Sequence, residues 1–323
     1  MTEILRVENL CKNFTSRFGG GAIPAVADVS FTMQAGETLG LVGESGCGKS
    51  TLGRTILRLT QPTSGYVAFE GHDLTTLSPR EMRSMRSRLQ MIFQDPFASL
   101  DPRMTVAAII EEPMKIHSIG DQAYRKRRVR ELLDIVGLPQ RSLDAYPHEF
   151  SGGQRQRIGI ARSLSLEPKL IVADEPVSAL DVSIQAQILN LLVDLRSEFD
   201  LSYIFIAHDL AVVEHVSDKV AVMYLGQIVE YASCSDLFAH PSHPYTQALL
   251  ASVPQVDPDH VQDFQPIAGE LPNPENPPSG CPFHPRCPQA MAHCATHVPA
   301  VYDVGTPGNQ HEVRCHLYDD RIP

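Results

Sequence analysis

The chain has 323 residues, of which 43% are hydrophobic and 20% are charged, and its formal net charge is -11. This length suffices for one α/β core of usual size with roughly a hundred residues left over for an appendage. The acidic balance argues against a general nucleic-acid binder, because affinity for a phosphate backbone needs clustered cations.

The sequence offers no membrane-spanning or secretory segment. No run approaches the about 18 apolar residues that cross a bilayer. The N-terminus, with Glu3, Arg6 and Glu8, lacks the apolar core of a signal peptide. We therefore expect a protein that stays in the cytoplasm, where its seven cysteines are reduced or metal-bound rather than paired.

The first informative segment is a short apolar run, Glu37–Val42, followed by the sequence G-E-S-G-C-G-K-S-T and a helical pattern. A strand, a glycine-rich loop and a helix in this order predict a phosphate-binding loop. Glycine backbone freedom lets successive N–H groups converge on a phosphate, Lys49 adds a positive charge, and Ser50 offers a hydroxyl to Mg²⁺. Cys47 is expected to have no catalytic part. The residues predicted to contact nucleotide are Gly43, Glu44, Ser45, Gly46, Cys47, Gly48, Lys49, Ser50 and Thr51.

The segment between about Pro96 and Phe150 has helical periodicity and predicts a helical insertion. Its basic run, Tyr124–Arg128, is interpreted as a solvated helix face. The insertion ends at Ser151-Gly152-Gly153-Gln154, which has the Ser-x-x-Gln pattern of a capping box. Because a glycine-rich helix N-terminus is also an anion site, this tetrad is a candidate to contact the γ-phosphate bound by a partner chain.

Two further apolar runs, Leu170–Ala173 and Tyr203–Ile206, predict buried strands of a mostly parallel sheet. Asp174 and Glu175 follow the first of these runs, at the strand edge where α/β proteins bind ligands. Asp174 is predicted to hold Mg²⁺ and Glu175 to polarise the attacking water. Alternatively, the two acids simply begin a helix, where acidic side chains are favoured.

From His240 onward the chain is rich in proline, and Leu271–Pro278 can form neither a helix nor a central strand. The tail contains four cysteines, with five, six and twenty residues between them: Cys281, Cys287, Cys294 and Cys315. Four thiols in a reducing compartment are a metal-site candidate. Their spacing matches neither a zinc ribbon nor a ferredoxin, so zinc, an iron–sulfur cluster and a metal-free set all remain open.

The chain resembles the ATP-binding-cassette (ABC) ATPases. The resemblance rests on six ordered motifs: Gly43–Ser50, Gln94, Ser151–Gln154, Leu170–Glu175, Ser178–Asp181 and His208. The segment His243–Leu250 and the cysteine-containing tail are further similar to ATP-binding subunits of bacterial dipeptide/oligopeptide importers.

This resemblance implies a RecA-like P-loop core with a mostly parallel sheet, an antiparallel N-terminal β portion and a helical subdomain at about 96–158. Residues 1–240 would form the ATPase domain and 241–323 the C-terminal extension. Two such chains would sandwich two ATP molecules, each between one chain's phosphate loop and the other's Ser151 tetrad. A DNA-repair or chromosome ATPase would share the motifs, but it would usually have coiled coils or DNA-binding insertions, which are not seen here.

The resemblance also implies roles for single residues. Gln94 would touch Mg²⁺ or the attacking water, and His208 would contact the γ-phosphate. Asp181 would join the two chains, and Phe14 would stack on adenine, although ordinary core packing is an alternative for Phe14. Residues 97–104 would help to receive a helix of the membrane subunit.

Further implied components are a four-iron four-sulfur cluster at the four tail cysteines, two membrane permease subunits and an external binding protein. The subunit would sit on the cytoplasmic face of the membrane. Peptides are the expected cargo; nickel chelates, opines and sugar conjugates are alternatives.

Overall fold

A computed structural model describes residues 2–15, 21–252, 269–306 and 308–319. Within these ranges the chain forms strands and helices that are numbered here in chain order. The strands are β1 (Glu3–Thr15), β2 (Ala22–Gln34), β3 (Thr38–Val42), β4 (Ser64–Phe69), β5 (His72–Asp73), β6 (Leu89–Ile92), β7 (Leu170–Asp174), β8 (Ser202–Ile206), β9 (Lys219–Tyr224), β10 (Gln227–Ser233), β11 (Tyr302–Asp303) and β12 (His311–Val313).

The α-helices of the described ranges alternate with these strands through most of the chain. They are α1 (Lys49–Ile56), α2 (Pro79–Met85), α3 (Val106–Ile116), α4 (Gln122–Ile135), α5 (Gly152–Leu164), α6 (Val182–Phe199), α7 (Leu210–Val216), α8 (Cys234–Ala239) and α9 (Pro244–Ala251). Short 3-10 turns lie at Gln140–Asp144, Pro147–Glu149, His284–Arg286, Ala292–Ala295 and His316–Tyr318. Among the described helices, none is both long and apolar enough to cross a bilayer.

The chain divides into two compact units, and the first consists mainly of Thr76–Ile206. Its strands β6, β7 and β8 are parallel, with Met91 opposite Val172 and Val172 opposite Ile204. β7 and β8 are buried along their whole length, as the continuous apolar runs predict. Because parallel strands end at the same edge, the residues that follow β6 and β7 are brought close together.

The helices of the first unit include the predicted insertion. α3, α4 and α5 pack against one another and bury apolar side chains at helical spacing: Val106, Ile109, Ile110, Val129, Leu132, Leu133, Ile158 and Ile160. The basic run Tyr124–Arg128 lies in α4, whose buried residues, Val129, Leu132 and Leu133, all come after it. The segment is therefore helical, as its periodicity predicts, and of the basic run Lys126 and Arg127 are exposed whereas the other three residues are half-buried.

The second unit consists of Glu3–Met33, Thr38–Thr75 and Ala207–Pro323. One of its sheets has the order β2-β1-β4-β5, and the β1–β4 and β4–β5 pairs are antiparallel, with Val7 opposite Val67. This confirms the antiparallel N-terminal β portion.

The other sheet of the second unit is mixed. β3 pairs with β9 in parallel, and β9, β10, β12 and β11 then follow in antiparallel pairs. Leu225 and Gly226 form the two-residue turn between β9 and β10, with positive φ at both positions, which matches the twist of a tight hairpin. The parallel pairing expected from the sequence therefore holds for the pairs β3–β9, β6–β7 and β7–β8. The pairs that follow β9, which are β9–β10, β10–β12 and β12–β11, are antiparallel.

The tail adds to this mixed sheet through β12. The carboxylate of Glu230 on β10 is buried and accepts hydrogen bonds from the backbone N–H groups of Ser242 and His243, at 2.7 and 2.9 Å. The same carboxylate contacts Nε2 of the buried His311 on β12 at 2.7 Å. Leu271–Pro278 forms neither helix nor strand, as its prolines predict. Buried polar contacts thus join the tail to β10 within the second unit.

Candidate functional site

The predicted phosphate loop joins β3 to α1, and its three glycines all have positive φ: 147° at Gly43, 84° at Gly46 and 109° at Gly48. Two of them also lie against backbone. A Cβ at Gly43 would be 2.1 Å from the carbonyl oxygen of Met223, and one at Gly48 would be 2.1 Å from that of Ala25. Both the conformation and the space therefore require glycine here, as the sequence predicts for a loop that cradles a phosphate.

The amine of Lys49 lies within this loop. Its Nζ is buried and donates to the carbonyl oxygens of Gly43 at 2.7 Å and of Glu44 at 3.0 Å. Lys49 is also the first residue of α1, so a cation and a helix N-terminus coincide, a combination that attracts phosphate. Burial raises the pKa of the Cys47 thiol, which keeps it protonated.

The rest of the loop is accessible to a ligand to different degrees. Ser45 and Gly46 are exposed, whereas Ser50 and Thr51 are half-buried in the first turn of α1. The carbonyl oxygen of Cys47 accepts a hydrogen bond from the N–H of Gly226 at 2.8 Å, so the β9–β10 turn supports the loop from one side.

In the first unit, the predicted magnesium and catalytic residues lie at the ends of β6 and β7. Asp174 is the last residue of β7 and is fully buried. Glu175 follows with a φ of +45°, a conformation that turns the chain sharply after the strand. The side chain of Gln94 donates from Nε2 to Oε2 of Glu175 at 2.8 Å. The structure therefore brings together two residues that are 81 positions apart in the sequence and that the sequence analysis assigns to hydrolysis.

The Ser151 tetrad begins α5 as a capping box. Oγ of Ser151 accepts from the N–H of Gln154 at 3.4 Å, and the N–H of Ser151 donates to Oε1 of Gln154 at 3.0 Å. Ser151 and Gln154 are exposed, so this helix terminus is open to a ligand.

The two glycines of the tetrad also have a packing reason that the sequence analysis missed. A Cβ on Gly152 would lie 3.2 Å from Cδ2 of Leu180, and one on Gly153 would lie 2.4 Å from Cγ2 of Ile184. The start of α5 therefore approaches the start of α6 more closely than a side chain would allow.

The remaining predicted residues lie at exposed positions. Asp181 is the N-cap residue of α6, and His208 follows β8 by two residues. Phe14 on β1 is 43% exposed, which argues against the core-packing alternative, and the amine of Lys12 lies 4.9 Å from its ring centroid. Phe97 is 60% exposed, with the guanidinium of Arg155 3.9 Å from its ring centroid.

The four tail cysteines are free thiols, three of them buried. Burial, together with the smaller influence of Cys281, Cys287 and Cys294, raises the pKa of Cys315 to about 11, so the four thiols are electrostatic neighbours. Across the described residues, however, no three or more His, Cys, Asp or Glu side chains form a group tight enough for a metal ion. The donor chemistry of the four residues suits a thiolate-ligated group.

Sequence reasoning missed two residues that contact the phosphate loop. The hydroxyl of Tyr245 accepts from the N–H of Glu44 at 2.8 Å, and the guanidinium of Arg286 binds the Glu44 carboxylate. Tyr245 lies in the His243–Leu250 segment that supports the resemblance, but its spacing of 201 residues from the loop left no local signal.

Comparison with known proteins agrees with these motifs. The ABC transporter family matches residues 26–178, and the family described as the oligopeptide/dipeptide transporter C-terminal region matches residues 229–294. The chain is 55% identical over 303 residues to a putative peptide import ATP-binding protein of Brucella ovis, covering 94% of this chain and 95% of the relative. It is 52% identical to the oligopeptide transport ATP-binding protein AppF of Bacillus subtilis, covering 98% and 97%.

Among solved structures, the ATP-binding cassette MJ0796, in a dimeric post-hydrolysis state bound to ADP and Pi, is similar with a TM-score of 0.66 and 28% identity. The match covers 72% of this chain and 99% of that one. The structure of cbiO1 from Clostridium perfringens, part of the transporter complex cbiONQ, has the same TM-score at 27% identity and covers 74% and 92%. The chain therefore belongs to the ATP-binding subunits of oligopeptide/dipeptide ABC transporters and is an ATPase of the α/β cassette fold.

Proposed function

We propose that this subunit hydrolyses ATP to drive import of di- or oligopeptides across the cell membrane. The observation that carries this proposal is the 55% identity to a putative peptide import ATP-binding protein over 94% of the chain, which includes both the cassette motifs and the tail. The intact phosphate loop, with the Lys49 amine inside it, and the Gln94–Glu175 contact support an active ATPase.

The chemistry is in-line attack of water on the γ-phosphorus, which depends mainly on positioning and charge stabilisation. The loop N–H groups and Lys49 bind the phosphates, and Ser50 and Asp174 are ligands of Mg²⁺. Glu175 polarises the attacking water. Gln94 contacts Mg²⁺ or that water once nucleotide is bound, and in the present structure its amide holds the carboxylate of Glu175.

Two ATPase subunits act as a pair in this proposal. The tetrad Ser151, Gly152, Gly153 and Gln154, whose first and last residues are exposed, contacts the γ-phosphate on a second cassette, which is another copy of the chain or a paralogue. Asp181 lies at the junction of the two cassettes, His208 contacts the γ-phosphate and Phe14 stacks on adenine. Support comes from the exposure of Ser151, Asp181, His208 and Phe14, and from the similarity to MJ0796, a cassette whose solved structure is dimeric.

The subunit is expected to bind at the cytoplasmic face of the membrane to two permease subunits, which receive peptide from an external binding protein. The exposed ring of Phe97 makes the segment 97–104 the best candidate for the permease contact. In this scheme residues 1–240 are the ATPase domain, with a helical subdomain at about 96–158, and residues 241–323 are the extension specific to peptide importers.

We assign the four tail thiolates as ligands of a four-iron four-sulfur cluster, with zinc as the alternative. Three of the four thiols are buried and the four interact electrostatically, which supports this assignment because thiolates are the ligands of iron–sulfur clusters. When bound, such a cluster is a one-electron carrier or a structural crosslink of the tail. Anaerobic purification followed by iron, sulfide and zinc analysis tests it. Iron and sulfide in equal amounts support the cluster, whereas zinc or no metal refutes it.

The ATPase assignment is tested with two variants of the full chain. Lys49→Ala should weaken ATP binding, because the loop loses its cation. Glu175→Gln should bind ATP normally but release phosphate on the order of 10² to 10⁴ times more slowly, because the carboxylate that polarises water is lost. Glu198→Gln, an exposed position on α6, is the matched control and should behave as wild type.

Unchanged affinity in Lys49→Ala would contradict the phosphate-loop role, and unchanged turnover in Glu175→Gln would remove that residue from catalysis.

The cargo is tested by reconstituting the subunit with its permease and binding protein in vesicles. Uptake of labelled di- or oligopeptides supports the peptide assignment, whereas uptake of a nickel chelate or an opine alone refutes it.

A further inference from the structure

Glu44, the second residue of the phosphate loop, is held at every polar group it has. Its carbonyl oxygen accepts from the Lys49 amine at 3.0 Å, and its N–H donates to the hydroxyl of Tyr245 at 2.8 Å. Its carboxylate is bound by Arg286. Two of these three contacts come from the C-terminal segment, so the conformation of the loop depends on residues far outside it.

The contact with Arg286 is a two-pronged ion pair. Nη1 donates to Oε2 of Glu44 at 2.6 Å, and Nη2 donates to Oε1 at 2.9 Å. The Arg286 side chain is only 4% exposed, and that of Glu44 is 28% exposed. The hydrogen bonds to Glu44 raise the pKa of Arg286, so the guanidinium stays charged. Planar pairs of this kind fix geometry as well as charge.

Aromatic side chains hold Arg286 and Tyr245 in place. The rings of Tyr224, Tyr245 and Phe283 meet edge to face or tilted, with centroids 4.7 to 5.4 Å apart. The guanidinium of Arg286 lies 5.9 Å from the Tyr224 ring centroid and 3.4 Å from the Tyr224 hydroxyl. All three rings are almost completely buried, so their packing restricts the side chains of Tyr245 and Arg286 that contact the loop.

The ion pair between Arg286 and Glu44 also affects ATP binding electrostatically. A free carboxylate in a loop that binds a triphosphate repels the ligand, and the repulsion is strong where water is partly excluded. Arg286 neutralises this charge by pairing with the carboxylate. The same contact therefore favours ATP electrostatically and restricts the backbone that must cradle the phosphates.

We propose that Arg286 and Tyr245 are positioning residues for ATP binding, which act through Glu44 to hold the phosphate loop in its binding conformation. The C-terminal segment is then part of the nucleotide-binding apparatus. This inference rests on the proposed role of residues 43–51 as the phosphate cradle.

The test is the ATP affinity of the purified full chain, measured by fluorescence of a labelled nucleotide or by calorimetry. Arg286→Gln should bind ATP about tenfold more weakly or worse, because hydrogen bonds to a charged group are lost and a half-buried carboxylate is left unpaired. Arg286→Lys should fall between this variant and wild type, since it restores the charge but not the two-pronged geometry. Arg314→Gln, which removes a guanidinium of the same tail paired with Asp28 at 3.2 Å, is the matched control and should bind as wild type.

A double-mutant cycle shows whether Arg286 acts through Glu44 or only supports the fold. Arg286→Gln should weaken ATP binding much less in the Glu44→Gln background than in the wild-type background, because the ion pair that it breaks is already lost there. General damage to the fold predicts an equal loss of affinity in both backgrounds. Tyr245→Phe keeps the ring but leaves the Glu44 N–H without its acceptor, so it should also weaken ATP binding several-fold.

Wild-type affinity in Arg286→Gln would overturn the proposal, and so would an equal loss of affinity from Arg286→Gln in the wild-type and Glu44→Gln backgrounds. If Arg286→Gln does not fold, Tyr245→Phe decides, and wild-type affinity in that variant overturns the proposal. Lys49→Ala distinguishes this failure from that of the proposed function. A defect in Lys49→Ala beside a normal Arg286→Gln refutes only the inference, whereas a normal Lys49→Ala refutes the role of the loop itself.

Discussion

The buried histidine at the start of α9 predicts how stability depends on pH. His243 is the N-cap residue of α9, and its Nδ1 accepts from the N–H of Tyr245 at 3.0 Å. Burial lowers the pKa of His243 from 6.5 to about 4, against the opposing attraction of the nearby Glu230 carboxylate, which also contacts His311. Folding therefore requires the neutral imidazole.

The sign and size of the effect follow from linkage. Below about pH 6.5 the unfolded chain binds a proton at this histidine, whereas the folded chain does so only near pH 4. The free energy of unfolding is thus fully retained above pH 6.5 and falls as the pH decreases toward 4. At about 1.4 kcal/mol per pH unit, the loss is about 2 kcal/mol by pH 5 and about 3 kcal/mol by pH 4.

The assay is urea unfolding followed by circular dichroism at about pH 7, 6 and 5, for wild type and His243→Asn. Asparagine does not titrate in this range and retains an oxygen that can cap the helix, so it lowers stability by an amount that does not depend on pH. Wild type should lose about 2 kcal/mol more than the variant between about pH 6.5 and 5. Parallel pH curves for the two proteins would refute the assignment of this dependence to His243.

Two further predictions concern the first unit. Gly153→Ala should lower the free energy of unfolding by about 1 to 3 kcal/mol, because the added Cβ would meet the stiff side chain of Ile184 at 2.4 Å. Gly159→Ala on the same helix, where nothing lies within 4 Å, should instead raise stability by up to about 1 kcal/mol, and equal effects in chemical denaturation would contradict this packing account. Gln94→Ala should slow phosphate release on the order of 10²-fold with little change in ATP affinity, because Glu175 loses a group that orients it. Gln90→Ala on β6, which removes a hydrogen bond to the backbone carbonyl of Arg86, is its control, and an equal loss in both variants would argue against a specific role for Gln94.

Much of the fold and the core of the site could be predicted from the sequence because they depend on local patterns. The buried strands β3, β7 and β8 are continuous apolar runs, and the glycines at 43, 46 and 48 report a backbone that only glycine adopts readily. The capping box at Ser151 is likewise a four-residue signal.

The contacts that join distant segments could not be predicted in this way. Tyr245 and Arg286 lie 201 and 242 residues from the loop residue that they hold, and no periodicity or spacing connects them. The same is true of the antiparallel strands β10 and β12, whose pairing brings Glu230 to His311. The packing reason for Gly153 also depends on a side chain of another helix, Ile184.

The order of synthesis gives the Glu44 contacts a further consequence. A ribosome adds about 5 to 20 residues per second, so Arg286 leaves it on the order of tens of seconds after Glu44. For most of that interval the nascent polypeptide already contains every glycine of the loop and Lys49, but neither partner of Glu44 from the C-terminal segment; Tyr245 is added before Arg286. The contacts that fix the conformation of the phosphate loop can therefore form only late in translation, after most of the chain has emerged.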